Sequence, residues 1–304
     1  MTMSPAEKYA AAKARTAIAK SYLGAFIESL PFELDPFQMK GCKALQDGHS
    51  VLVAAPTSAG KTVVGQFAVY LALSKQTRCF YTTPIKALSN QKFHELRQEY
   101  GDDQVGLLTG DNAINGDAPI VVMTTEVLRN MLYEGSTGLR SLSHVVLDEV
   151  HYLADKFRGA VWEEVLIHLM ESVQVISLSA TVSNAEEFGE WLQAVRGDTE
   201  VIVSENRPVP LYQHVLIGNR LIDLFNEDGS VNQALFKTER EALRRIRTPR
   251  HRGRHDDENR LGRPEVIEKL HFNQMLPVIT FIFSRQGCDS AVKQCLAANL
   301  RLTN

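Results

Sequence analysis

Cysteine is scarce and unpatterned in this chain. There are four, Cys42, Cys79, Cys288 and Cys295, and no two of them form the Cys-x-x-Cys spacing of zinc ribbons and redox motifs. That speaks against a metal-ribbon or disulfide framework and fits a reducing cytosol, so a cytoplasmic location is expected. Long apolar runs are missing as well: none approaches the roughly 18 residues that a membrane span requires. Met1 to Lys20 is rich in alanine but is broken by Lys8, Lys13, Arg15 and Lys20. It lacks the apolar centre of a signal peptide and reads instead as a helix packed by Ile18, Tyr22, Leu23 and Phe26. Strong charge of one sign is the third absence. With 33 Lys and Arg against 36 Asp and Glu, the net charge is −3. A nucleic-acid partner must therefore meet a local patch, because the overall field repels it weakly. Apolar residues make up 44% of 304 residues, enough for a full core, and the length suits about two domains.

What is present centres on Ala55-Pro56-Thr57-Ser58-Ala59-Gly60-Lys61-Thr62. The apolar run Val51–Ala54 before it predicts a buried strand, and Val63–Leu73 after it predicts a helix. A strand, a small-residue loop, Gly-Lys-Thr and a helix together make the context of a phosphate-binding loop. Backbone N–H groups of such a loop point inward, and the helix start adds partial positive charge. Lys61 then reaches the β- and γ-phosphates of ATP, and the Thr62 hydroxyl holds Mg²⁺. The strict pattern opens on glycine where this chain has Ala55; a residue that small still permits close backbone approach. Upstream, Asp35 and Pro36 predict the cap and first residue of a helix ending near Gly48. Gln38 in its first turn either reads an adenine edge, since an amide both donates and accepts, or is a surface residue. Phe32 either stacks on the base or belongs to the core.

Strands and helices then alternate. Strands are expected at 78–82, 104–108, 119–123, 144–147, 173–178 and 200–203, and helices at 85–100, 125–132, 159–170 and 185–195. This spacing predicts an α/β fold: a parallel sheet with helices on both faces, binding ligands at the carboxyl ends of its strands. At one such end Val145-Val146-Leu147 delivers Asp148 and Glu149. Asp148 is placed to bind Mg²⁺ through water, and Glu149 to orient and deprotonate the attacking water. His151 is either a loop histidine or a link to the next strand end, Ser177-Leu178-Ser179-Ala180-Thr181. The hydroxyls there sense the γ-phosphate or simply form a turn. Three further strand-end loops, Thr82–Leu88, Leu108–Asp111 and Met123–Leu128, offer hydroxyls, Lys86 and helix-start N–H groups. Each alone is ordinary capping; together they suggest a track for a phosphodiester backbone.

These segments resemble, in order and spacing, the motifs of superfamily-two DExH-box helicases. The wording TTPIKALSNQK, DEVHYLADKFRGAVWEE and RPVPLYQHV looks like the Ski-like branch, RNA helicases linked to exosome decay. The resemblance runs from about Phe32 to Leu296. It implies a RecA-like ATP-binding domain, with Gln38 reading adenine and residues Ala55 to Thr62 cradling the phosphates. It further implies that Asp148 and Glu149 serve metal and water, and that Ser179 and Thr181 link ATP state to strand separation. Pro84, Lys86, Gly110, Thr124 and Thr125 would face single-stranded RNA, with 3′ to 5′ movement; DNA is the alternative substrate. The expected partners are the nucleic acid, the remaining helicase domain of a longer protein, and RNA-decay factors.

On this reading residues 1–30 form a helical extension, 31–204 the first RecA-like domain and 205–276 a linker. Residues 277–304 begin an incomplete second RecA-like domain, with a strand at Pro277–Phe283, a helix at Ser284–Leu300, and Ser284-Arg285 resembling its first motif. Lys237–Arg263 holds Arg240, Arg244, Arg245, Arg247, Arg250, Arg252, Arg254, Arg260 and Arg263 with few apolar residues. A mobile loop is expected there, either touching phosphates or acting as a solvated linker.

Overall fold

The structure is a computed structural model that describes residues 21–154, 159–180, 185–247 and 261–300. The helix expected before Tyr22 lies outside the described residues. The chain divides into two units, Met1–Val209 and Pro210–Asn304.

In the first unit α1 (Tyr22–Ser29) and α2 (Pro36–Asp47) lead into β1 (Ser50–Ala54). There follow α3 (Thr62–Ser74), β2 (Arg78–Thr83), α4 (Lys86–Tyr100), β3 (Val105–Leu108), β4 (Ala113–Ile114), β5 (Ile120–Thr124) and α5 (Thr125–Tyr133). The unit closes with β6 (Leu142–Leu147), α6 (Gly159–His168), β7 (Gln174–Ser179), α7 (Ala185–Arg196) and β8 (Thr199–Val203). The eight strands form one sheet in the order β4-β3-β5-β2-β6-β7-β1-β8. Every pairing is parallel except β3 with the two-residue β4, which blunts one edge.

The strands are apolar without a break because both faces are covered, as parallel sheets require. Period-two alternation sorts their side chains. Val51, Val53, Tyr81, Val122, Val146 and Leu178 face a layer built from α1 to α4. Leu52, Phe80, Val121, Val145, Leu147 and Val175 face a layer built from α5 to α7 around the buried Trp162. The start and end of α2 follow from its sequence. Asp35 caps it, Pro36 opens it, and Gly48 ends it with φ of 102°, a left-handed value that costs glycine little.

The opposite, amino-terminal edge of the sheet buries a polar cluster. His144 in β6 is 1% exposed; its Nδ1 lies 2.6 Å from the Ser143 hydroxyl, and its Nε2 makes no well-formed hydrogen bond. Burial, with Lys75 nearby, lowers the imidazole pKa to about 4, and the Gln174 side chain nearby opposes the shift only weakly. The unfolded chain takes up this proton near pH 6.5 and the folded chain only near 4, so the contribution is full above 6.5 and is lost as pH falls towards 4. We expect about 3 kcal/mol of stability to disappear across that window. His144→Asn, followed by denaturant unfolding at several pH values, should flatten the slope; an unchanged slope would assign it to other groups.

In the second unit a hairpin of β9 (His214–Ile217) and β10 (Arg220–Asp223) turns at Gly218-Asn219. Three helices follow: α8 (Gln233–Arg247), α9 (Arg263–Phe272) and α10 (Arg285–Ala297). Two expectations are corrected here. Of the loop expected over Lys237–Arg263, the part up to Arg247 is helical and Arg263 opens α9, while 248–260 lies outside the described residues. Arg, Glu, Leu and Ala are good helix formers, and Leu235 with Ala242 supplies the one-face spacing that the arginine count obscures. The strand expected at Pro277–Phe283 does not form. Ile279, Phe281 and Phe283 are 81%, 82% and 103% exposed, and among the described residues no neighbouring strand pairs with this stretch. β-Pattern alone cannot make a strand without a ladder partner.

Candidate active site

The sheet order decides the site. β1 and β6 are separated only by β7, so their carboxyl ends stand about 10 Å apart at normal strand spacing. After β1 the chain enters the loop Ala55–Lys61, in which Ser58 and Gly60 take φ of 66° and 82°. A Cβ on Gly60 would also meet Gln38 Nε2 at 2.5 Å, so the glycine is needed for both conformation and space. The loop is pinned to the sheet by the Ala55 N–H, which donates to the Ser179 carbonyl at 3.1 Å. Lys61 is 8% exposed, and its ammonium donates to the Ala55 and Pro56 carbonyls at 2.9 and 3.1 Å. Burial lowers its pKa, while Glu149 and Asp148 act in the opposite direction. The lysine and both acids therefore share one end of the sheet and feel one another's charge.

The acids differ in how they are held. Asp148 Oδ2 accepts from the Tyr81 hydroxyl at 2.8 Å, and Oδ1 accepts from the Glu149 N–H at 3.0 Å. Glu149 sits in a left-handed conformation with φ of 57°. Its Oε2 lies 3.3 Å from His151 Nδ1, but the two are poorly aimed, and both atoms are buried without a hydrogen-bond partner. Burial, then Asp148, raises the Glu149 pKa; His151 and Lys61 oppose the rise. A base with an open oxygen and a raised pKa is suited to taking a proton from water. This donor set also fits Mg·ATP: one fixed carboxylate, one open one, and a hydroxyl at the start of α3, with the phosphates completing the shell.

Gln38 is 4% exposed, so it is not a surface residue. Its Oε1 accepts from the Asp35 N–H at 2.9 Å, and its Nε2 donates to the Gly60 carbonyl at 3.0 Å. With a longer bond from the same Nε2 to the Ala59 carbonyl at 3.4 Å, it bridges the start of α2 to the phosphate loop and keeps one lone pair on Oε1 free. Phe32 is 49% exposed, so it is no core residue. A cleft of about 370 Å³ opens between Asp35, Phe37, Lys40, Ile202 and Asn206. Ser179, at the end of β7, is buried; Thr181 lies outside the described residues.

The other half of the carboxyl edge, β2, β5 and β3, carries the three remaining loops. Of their five candidate contacts, Lys86 and Gly110 are exposed. They lie together: a Cβ on Gly110 would be 3.6 Å from Lys86 Nζ, and Lys86 pairs with Asp111. Pro84, Thr124 and Thr125 are buried, and the Thr125 hydroxyl is turned to the Thr83 carbonyl at 3.5 Å. Sequence reasoning missed Tyr81 and Asp111. Tyr81 is opposite Val146 in the register, hence on the face that Asp148 shares, a relation visible only once β2 and β6 are neighbours.

A mostly parallel sheet with a phosphate loop and an acidic pair on either side of one strand is a RecA-like core of the P-loop class. The family model described as DEAD/DEAH box helicase matches residues 35–188, just over half of the chain, and the chain belongs to that family. The chain is 58% identical over 298 residues to a protein named Probable helicase HelY from Mycobacterium leprae, covering 93% of this chain and 32% of that protein. It is 46% identical over 216 residues to the Antiviral helicase SKI2 of Saccharomyces cerevisiae, covering 71% of this chain and 17% of the relative. Among solved structures, Mycobacterium smegmatis helicase Lhr bound to ssDNA and AMP-PNP aligns with a TM-score of 0.51 at 25% identity, over 62% of this chain and 28% of that one. The chain thus spans about a third of the length of its HelY relatives.

Proposed function

We propose that this chain carries the first helicase domain of an ATP-dependent RNA helicase that moves 3′ to 5′ and acts in the cytoplasm, within a longer protein. The observation that carries the reading is the convergence of Lys61, Asp148 and Glu149 at one sheet end, beside a second set of loops suited to a phosphate backbone. Gln38 reads adenine with its remaining hydrogen-bonding capacity, and Phe32 stacks on the ring. The N–H groups of residues 55–62 cradle the phosphates, and Lys61 leaves its loop carbonyls to meet them. Thr62, Asp148 and Glu149 hold Mg²⁺, which supplies neutralisation of the phosphate charge when bound. Glu149 then takes the proton of the attacking water. His151, Ser179 and Thr181 report the nucleotide's state to the strand-separating half of the sheet.

Pro84, Lys86, Gly110, Thr124 and Thr125 form the nucleic-acid track. Because Pro84, Thr124 and Thr125 are buried, they contribute backbone groups, whereas Lys86 contributes charge after leaving Asp111. The second unit holds fifteen Lys and Arg against eleven acids, and the first eighteen against twenty-five; the phosphate-attracting charge is therefore concentrated in the second unit, largely in the Arg-rich run. RNA is preferred because relatives named as RNA helicases match 86% and 90% of this chain at 42% and 38% identity, one of them named as an exosome RNA helicase, and RNA-decay factors are the partners this implies. A DNA helicase of the same build is the second reading, favoured by the ssDNA in the Lhr complex. Competition between RNA and DNA duplexes of one sequence, each with a 3′ overhang, tests the choice in the full-length protein. We expect RNA to be unwound at least about tenfold faster, through contacts to the 2′-OH; equal or faster unwinding of DNA would overturn the RNA reading.

A further inference from the structure

Tyr81 has no place in the roles assigned so far. It lies in the middle of β2, fully buried, between Phe80 and Thr82 on an otherwise well-packed strand. A phenylalanine would fill the same space without an added hydroxyl to satisfy. Here the hydroxyl has one use, the bond to Asp148 Oδ2 at 2.8 Å. Together with the Glu149 N–H on Oδ1 at 3.0 Å, it anchors both carboxylate oxygens. The backbone adds a third tie, since the Asp148 N–H donates to the Thr82 carbonyl at 3.0 Å. Each carboxylate oxygen has two lone pairs, so one on each remains for a ligand.

The ring is held from α4 as well, where Lys92 Nζ stands 5.4 Å from its centre. Thr83, two residues after Tyr81, bonds the Ser89 hydroxyl in α4 at 2.7 Å and begins the loop that carries Pro84 and Lys86. The acid at the nucleotide end is thus fastened to the strand and helix that flank the nucleic-acid loop.

We propose that Tyr81 is a positioning residue: its hydroxyl sets the orientation in which Asp148 meets the hydrated metal of Mg·ATP, and it ties that orientation to the loop Thr83–Lys86. This rests on the reading of Asp148 as the metal-facing acid. The phenol touches no reacting atom and acts only through the carboxylate. A nucleic acid that draws on Lys86 and shifts α4 or β2 moves the hydroxyl with them, so that strand engagement reaches the metal site.

The test uses the full-length protein as wild type, Tyr81→Phe and Asp148→Asn. Mg²⁺ is titrated against binding of a fluorescent ATP analogue, and turnover is measured with and without RNA. We expect Tyr81→Phe to melt within a few degrees of wild type and to bind the analogue equally well without metal. It should need about three- to tenfold more Mg²⁺ for half-saturation and lose most of its stimulation by RNA. If its Mg²⁺ requirement and stimulation are unchanged while Asp148→Asn raises the requirement, Tyr81 has no positioning role. A lower melting temperature with an unchanged Mg²⁺ requirement would equally reduce Tyr81 to packing. If Asp148→Asn also leaves the requirement unchanged, it is the metal-facing reading of Asp148 that fails.

Discussion

Glu149→Gln in the full-length protein will leave nucleotide binding nearly unchanged and cut hydrolysis by about 10²–10⁴, the range for loss of a general base. The amide keeps the volume and the strained φ of 57°, so the loop after β6 has no reason to move. What it removes is the basic oxygen Oε2, which is buried and without a hydrogen-bond partner. Asp148, held on both oxygens by Tyr81 and the Glu149 backbone, and Thr62 remain as metal-facing groups, and the amide oxygen of glutamine can replace the one Glu149 offers the metal, so metal-dependent binding survives. Single-turnover hydrolysis beside fluorescent-ATP titration separates the two quantities. Normal turnover by the glutamine variant would show that another group takes the proton.

The 304-residue chain assayed by itself will bind ATP yet turn it over about 10³–10⁵ more slowly than the full-length protein, the usual worth of a missing arginine finger. Every group placed at the nucleotide end of the first unit is a phosphate cradle, a metal-facing acid, a base or a base reader. Among the described residues placed there, none is an arginine. The family resemblance puts those arginines in a second RecA-like domain, and this chain spans about a third of its HelY relatives. Turnover by this chain at the full-length rate would mean that the transition-state charge is met from within residues 1–304.

Much of the first unit could be read in order along the chain. Buried parallel strands are short apolar runs, and most of them lead into a helix. Asp35-Pro36, Gly60-Lys61-Thr62 and Asp148-Glu149 therefore announce both an element boundary and a chemistry. The second unit was harder to read. Gly218-Asn219 between Val215-Leu216-Ile217 and Leu221-Ile222 is a hairpin signal set against a long α/β alternation. In α8 the charged residues outnumber the apolar ones, so the one-face spacing of Leu235 and Ala242 is faint against the charge.

The residues alone determined that a phosphate loop and an acidic strand end exist, since both are written in contiguous segments whose local backbone needs dictate glycine, small residues and paired acids. Only the tertiary structure decided what those segments meet. Strand order is set by packing across the whole sheet, not by neighbours in the chain. It was this order that put β6 one strand from β1, brought Tyr81 under Asp148, and turned Gln38 onto the loop carbonyl of Gly60.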